Sequence, residues 1–263
     1  MAAAESHMLL AWVGALLIGL VLGMLGSGGS ILTVPILVYL VGEPEKLAVA
    51  ESLAIVGTIA LVGSLPYALR ALVDWKSGVV FGIPGTIGTY AGAWLSQFVS
   101  GGVQLGLFAV VMLLAAFIMA RPKGLRAPRT SGVIWKTGLG GGGVGTVVGL
   151  VGVGGGFLIV PALVLLGGLP MHLAVGTSLL VIALNSAVGF YKYLHLLPAL
   201  GLTVHWDLVF LFSVLGIAGS FLGGRIGVRL PQEALRRGFA GFLVWMGLYI
   251  FWQSLSRLLT GSG

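Results

Sequence analysis

Apolar positions along this chain neither alternate with polar ones nor recur on one helical face. They run on unbroken, as from Leu105 to Ala120, and short connections bearing glycine, proline and charge separate them. Ten such segments can be traced: 8–25, 30–42, 47–69, 77–99 and 103–120, then 136–151, 157–168, 173–197, 206–228 and 235–256. A helix apolar on every face has no side for water, and about 20 such residues cover about 30 Å of hydrocarbon. A spanning barrel would instead show segments of about ten residues alternating apolar and polar. The pattern predicts an all-α polytopic membrane protein. The second segment of each set of five is short, and each follows a glycine-rich break. Twelve or thirteen helical residues rise only about 18–20 Å, too little for an ordinary crossing.

The two sets of five are copies. Displaced by 126 residues, Gly19 through Tyr67 aligns with Gly145 through Tyr193 without a gap, and 22 of 49 positions are identical. Chance at this composition gives roughly a tenth. Gly26-Ser27-Gly28-Gly29 with Val34-Pro35 falls on Gly152-Val153-Gly154-Gly155 with Val160-Pro161, and Ser52-Leu53 falls on Ser178-Leu179. Beyond five extra residues the offset becomes 131, which pairs Trp75 with Trp206, Gly85 with Gly216, Gly88 with Gly219 and Gly92 with Gly223. The organisation expected is a first membrane repeat over 1–122, a cytoplasmic linker over 123–134 and a second repeat over 135–263, together one transmembrane domain.

Charge orients this arrangement. If each short segment belongs to a second crossing or a re-entrant hairpin, 11 of the 14 Lys and Arg residues share one side, against 9 if each broken pair crosses once. Basic loops stay cytoplasmic, so the first arrangement is preferred and both termini are expected outside the cytoplasm of a cell inner membrane. An odd number of crossings per half inverts the repeats, a recurrent plan of secondary transporters. A formal charge of +7 in a chain only 8% charged and 58% hydrophobic, with mean hydropathy +1.10, reflects these loops and not a nucleic-acid surface. The start lacks a basic n-region, so no cleavable leader is expected. The absence of cysteine excludes disulfides, thiolate metal sites and thiol nucleophiles.

The breaks are where chemistry is expected. Unwound backbone is tolerated in a membrane only inside protein or beside a water-filled cavity, and glycine-broken segments at matching places in two halves point to a transporter's binding site. Helices beginning after each break aim free N–H groups and a positive dipole end at a ligand, for which an anion is the natural occupant. The candidate substrate-binding set is therefore Gly26, Ser27, Gly28, Gly29 and Ser30 with Gly152, Gly154, Gly155 and Gly156, together with the neutral donors Ser52, Thr58, Thr177, Ser178 and Asn185. Thr58 and Asn185 serve equally well to tie helices together. Glu51, the one carboxylate inside an apolar run, is a candidate for a proton or charge role, although one turn from the interface it reads first as solvated. Arg225 is a second candidate, near a segment end where arginine snorkels. Spaced glycines such as Gly19/Gly23, Gly88/Gly92, Gly141/Gly145/Gly149 and Gly219/Gly223/Gly227 read instead as packing faces. Pro35 and Pro161 read as kinks.

With these residues in view, the chain resembles the sulfite exporter TauE/SafE family of small two-repeat permeases. The resemblance rests on Gly23-x-x-Gly26-x-Gly28-Gly29 through Pro35, on Gly149-x-x-Gly152-x-Gly154-Gly155-Gly156 through Pro161, and on Ala174-Val175-Gly176-Thr177-Ser178-Leu179. It implies export of sulfite, sulfoacetate and related sulfur-containing anions. Ser27, Ser30 and Ala50-Glu51 depart from the fuller pattern of the second half, which implies an asymmetric site.

Other classes fit less well. A passive anion channel has no distinguishing sequence mark, and an intramembrane enzyme would need residues that are missing. There is no H-E-x-x-H, no G-x-S-x-G, and His172, His195 and His205 show no metal-ligand spacing. Gly138-x-Gly140-x-x-Gly143 fits a dinucleotide pattern but has no preceding strand or acidic partner. No cofactor and no catalytic residue are expected. The partners expected are a small anion, the bilayer and, in one arrangement, further copies of the chain.

Overall fold

The structure, a computed structural model, describes residues 2–26, 29–120, 132–151 and 156–260. Among these are ten α-helices and no strand: α1 (Ala2–Leu25), α2 (Gly29–Pro35), α3 (Glu45–Leu69), α4 (Trp75–Leu95), α5 (Gly101–Ala120), α6 (Gly132–Val151), α7 (Gly156–Leu165), α8 (Met171–Leu196), α9 (Trp206–Gly227) and α10 (Gln232–Thr260). The protein is an all-α membrane protein. Helix α3, α8 with the 3₁₀ turn that continues it, and α9 are long and apolar enough to cross a bilayer, and shorter apolar runs lie in α1, α2, α5, α6 and α10. In their most apolar windows 72% of α3 and 67% of α8 is buried, against 39% of α9, which places α3 and α8 at the centre. The outer faces carry Ile87, Leu65, Phe210 and Trp245, all exposed. Water would penalise so continuous an apolar surface, whereas lipid does not.

The short second segments are short for a local reason. Pro35 supplies no N–H to the helical ladder, and after it α2 widens into a π-helical stretch, Ile36–Val41. Gly42 ends the stretch at φ 88°. In the second half α7 carries Pro161 inside a helix of ten residues, and Gly168 turns at φ 63° soon after its end.

The dominant helix pairings all join one half to the other: α1 with α9, α4 with α6, α3 with α8 and α5 with α10. Glycine makes two of them possible. A Cβ on Gly19 would stand 1.8 Å from the Gly216 carbonyl oxygen, and one on Gly145, its counterpart in the repeat, would stand 2.0 Å from that of Gly85, the counterpart of Gly216. A Cβ on Gly23 would stand 2.1 Å from Ser220 O, and one on Gly149 2.0 Å from Thr89 O, again at matching positions. The spaced glycines are packing faces, as expected, and they bring backbones closer than any side chain permits.

Candidate functional site

The first break is built around Gly26. It follows α1 at φ +71°, donates its N–H to Leu22 O at 2.7 Å, and accepts a hydrogen bond from Ser178 Oγ of α8 at 2.9 Å. A Cβ there would lie 2.7 Å from Val175 Cα and 2.9 Å from Ser178 Oγ, so conformation and space both demand glycine. Gly29 opens α2, buried, where a Cβ would meet Ile18 O at 2.1 Å; the chain folds straight back along α1. Ser27 and Gly28 lie outside the described residues, as do Gly152, Gly154 and Gly155, and Ser30 is described only as a helical position of α2. Gly156 is the first residue of α7, and α2 and α7, the helices that follow the two breaks, touch each other.

Around this point the duplicated polar positions are engaged. Ser52 Oγ donates to Val49 O at 2.8 Å, and Ser178 Oγ to Val175 O at 2.8 Å, its equivalent. Thr177 Oγ1 accepts the backbone N–H of Asp74 at 2.9 Å, ahead of α4. Glu51, at the matching position, uses Oε1 to accept the backbone N–H of His205 at 2.8 Å, ahead of α9. Glu51 is fully buried, which corrects the solvated reading: α9 begins directly over it and closes it off. His205 Nδ1 lies 2.9 Å from Glu43 Oε1 and 3.4 Å from Glu51 Oε1, and ligand atoms of the three residues fall within 4.8 Å of one another. Sequence spacing could not reveal this group, because His205 is 154 residues from Glu51.

Thr58 and Asn185 do not share a site. Asn185, fully buried in α8, accepts a hydrogen bond from Thr86 Oγ1 of α4 at 3.0 Å, while its Nδ2 has no partner. Thr58 is exposed, donates to Ala54 O at 2.8 Å, and lines an apolar cavity of about 590 Å³ between α3, α4, α8 and α9. That cavity is walled by matched residues of the two halves, Ala54 with Leu180, Gly57 with Ala183 and Trp75 with Trp206. Ser186 Oγ, buried and without a partner, is on its wall.

Arg225 lies elsewhere. With Arg70, Tyr67 and Ser220 it lines a separate cavity of about 240 Å³ between the C-terminal ends of α3 and α9. The Tyr67 hydroxyl donates to Gly23 O at 2.7 Å, which fastens this cavity's wall to the helix leading into the Gly26 break. Arg70 and Ser220 escaped sequence reading because one resembled a loop charge and the other a packing residue. Tyr67 and Tyr193, which closed the ungapped match, were the available signal: Tyr193 Oη in turn accepts from Gln104 Nε2 at 2.8 Å.

Comparison with known proteins finds relatives described as membrane transporters. A "probable membrane transporter protein" of Xylella fastidiosa is 32% identical over 259 residues, covering 92% of this chain and 94% of the relative. The "probable membrane transporter protein YunE" of Bacillus subtilis is 27% identical over 256 residues, covering 85% and 90%. A similarly described protein of Haemophilus influenzae is 26% identical over 258 residues, covering 91% and 96%. No solved structure matches the chain. The model of the sulfite exporter TauE/SafE family matches residues 11–250, essentially the whole helical body with its glycine break, cavities and buried polar positions. The chain therefore belongs to the sulfite exporter TauE/SafE family, a family of membrane transporters and not of enzymes.

Proposed function

We propose that this membrane transporter carries small sulfur-containing anions, such as sulfite, sulfoacetate and related sulfonates, out of the cell by alternating access. In this reading 1–122 and 135–263 are inverted repeats joined by a cytoplasmic linker at 123–134, in the inner membrane, with both termini outside. The anion is held between the two breaks, Gly26–Ser30 and Gly152–Gly156, by those of their backbone N–H groups that the helices leave free and by nearby hydroxyl and amide groups. Glu51, beside Glu43 and His205, carries the proton or charge role.

The observation that supports this most is the Gly26 junction. A left-handed glycine with buried surroundings interrupts the chain between α1 and α2, and its carbonyl is held by Ser178 of the opposite half. Irregular backbone inside a membrane protein is tolerated where it is enclosed by protein or borders a cavity, and broken helices in corresponding places of two halves mark carriers. The cargo is argued from the family and from charge: helix N-termini and neutral donors suit an oxyanion.

Reconstitution in liposomes tests it. Sulfite or sulfoacetate trapped inside should accelerate uptake of the labelled anion, since counterflow requires a saturable carrier. Uptake that rises linearly with concentration and shows no counterflow would replace the carrier with a channel. No flux of any sulfur-containing anion would remove the assigned cargo.

A further inference from the structure

The cavity between α3 and α9 has features that the breaks do not need. Arg70 and Arg225 both line its 240 Å³, and neither has a carboxylate partner among the described residues. The Ser220 hydroxyl on the same wall is 3% exposed and makes no hydrogen bond. A hydroxyl on a helix ordinarily donates to its own preceding turn, as Thr89, its counterpart in the first half, donates to Gly85 O at 2.9 Å. Gly63 makes the room for it: a Cβ there would stand 2.5 Å from Ser220 Oγ.

We infer that Arg70, Arg225 and Ser220 form a second oxyanion site at one mouth of the transport path, next to the first glycine break. The occupant is a small oxyanion, whether the free sulfur-containing anion or the headgroup phosphate of an anionic lipid. Two guanidinium groups offset the partial negative charge at the C-terminal ends of α3 and α9, and they offer forked donors matched to such a group. Ser220 supplies a neutral donor that has no other acceptor. Tyr67 spends its proton on Gly23 O, so it acts as the wall linking this site to the helix that enters the break. The site occurs once: the positions matching Arg70 and Arg225 in the other half are Leu196 and Trp94. It is thus an asymmetric addition to the repeat, placed to concentrate anions at one side of the membrane.

As a station on the same path, this inference rests on the transport reading above, and the test separates the two. The full chain and the variants Arg70→Gln, Arg225→Gln, their pair, the charge-keeping pair Arg70→Lys with Arg225→Lys, and Ser220→Ala are reconstituted in phosphatidylcholine vesicles with or without phosphatidylglycerol. Each arginine substitution should raise the sulfite concentration for half-maximal flux about tenfold while leaving maximal flux intact. Higher salt should weaken the wild type more than the paired glutamine variant. The lysine pair should recover most of the loss, and Ser220→Ala should raise the half-maximal concentration a few-fold.

An arginine dependence in phosphatidylcholine alone assigns the oxyanion to free anion; one that appears only with phosphatidylglycerol assigns it to lipid. Either supports the site, and half-maximal concentrations unchanged by the arginine substitutions in both membranes overturn it. Should the wild type move no sulfur-containing anion, the cargo assignment fails, and the site is read from melting temperature in neutral detergent instead. Sulfite, sulfate or phosphatidylglycerol raising the melting temperature of the wild type, but not of the paired glutamine variant, supports it. Equal responses of both proteins, each eluting as a single species, overturn it.

Discussion

Glu51 and Thr177 occupy one position of the duplicated sequence and accept the same hydrogen bond, from the residue ahead of α9 in one case and ahead of α4 in the other. The fold needs only an acceptor there. Glu51→Thr should therefore retain most of the melting temperature in detergent, whereas Glu51→Ala leaves the His205 N–H unpaired and should cost about 1–3 kcal/mol. Equal losses for threonine and alanine would mean that the carboxylate is itself structural. At Gly26 two penalties coincide, a left-handed backbone and a Cβ against Val175 and Ser178. Gly26→Ala should lower stability by about 1–3 kcal/mol, measured by thermal unfolding, and reduce sulfite flux in proteoliposomes. Of the candidate residues, Gly26 and Ser178 were marked in sequence by the repeated glycine run and the repeated Ser-Leu pair, and the structure joins them through a hydrogen bond. Arg70, Ser220, His205 and Glu43 were not legible, because each acquires its meaning from a residue on a distant helix.

Glycine packing governs the elements. The α1/α9 and α4/α6 crossings are made of matching glycines with almost the same clearances, so damage to either should be equivalent. Gly23→Leu and Gly149→Leu should both abolish a monodisperse peak in size-exclusion chromatography. Gly106 in α5 and Gly143 in α6 face open space, with nothing within 4 Å of a Cβ. Alanine at those two positions should raise the melting temperature, each by an amount equivalent to about 0.5–1 kcal/mol, by restricting the unfolded chain. The glycine spacing predicted which helices have flat faces. It left open which flat face meets which, since any two such faces are locally compatible.

Because every dominant helix pairing bridges the halves, neither half owns a core. Residues 1–122 or 135–263 produced alone should aggregate or be degraded, while co-expression of the two should restore a transporting complex, read by flux in vesicles. Orientation is a separate expectation: a single cysteine at Lys123 should resist an impermeant thiol reagent in intact cells and react once the membrane is opened. Labelling in intact cells would reverse the assignment of sides, which rests on the placement of basic loops.

Hydrophobic run length, the 126-residue match and the glycine and proline positions sufficed to place helices near their observed bounds, since apolar length and backbone permission are local properties of a chain. They also sufficed for the family. Burial of Glu51, the apolar cavity between matched tryptophans and the convergence of Arg70 with Arg225 came only from tertiary structure. Each depends on the path by which α9 of one half crosses α1 and α3 of the other. No local pattern encodes that path, because it is chosen by the joint fit of backbones at glycine contacts far apart in the chain.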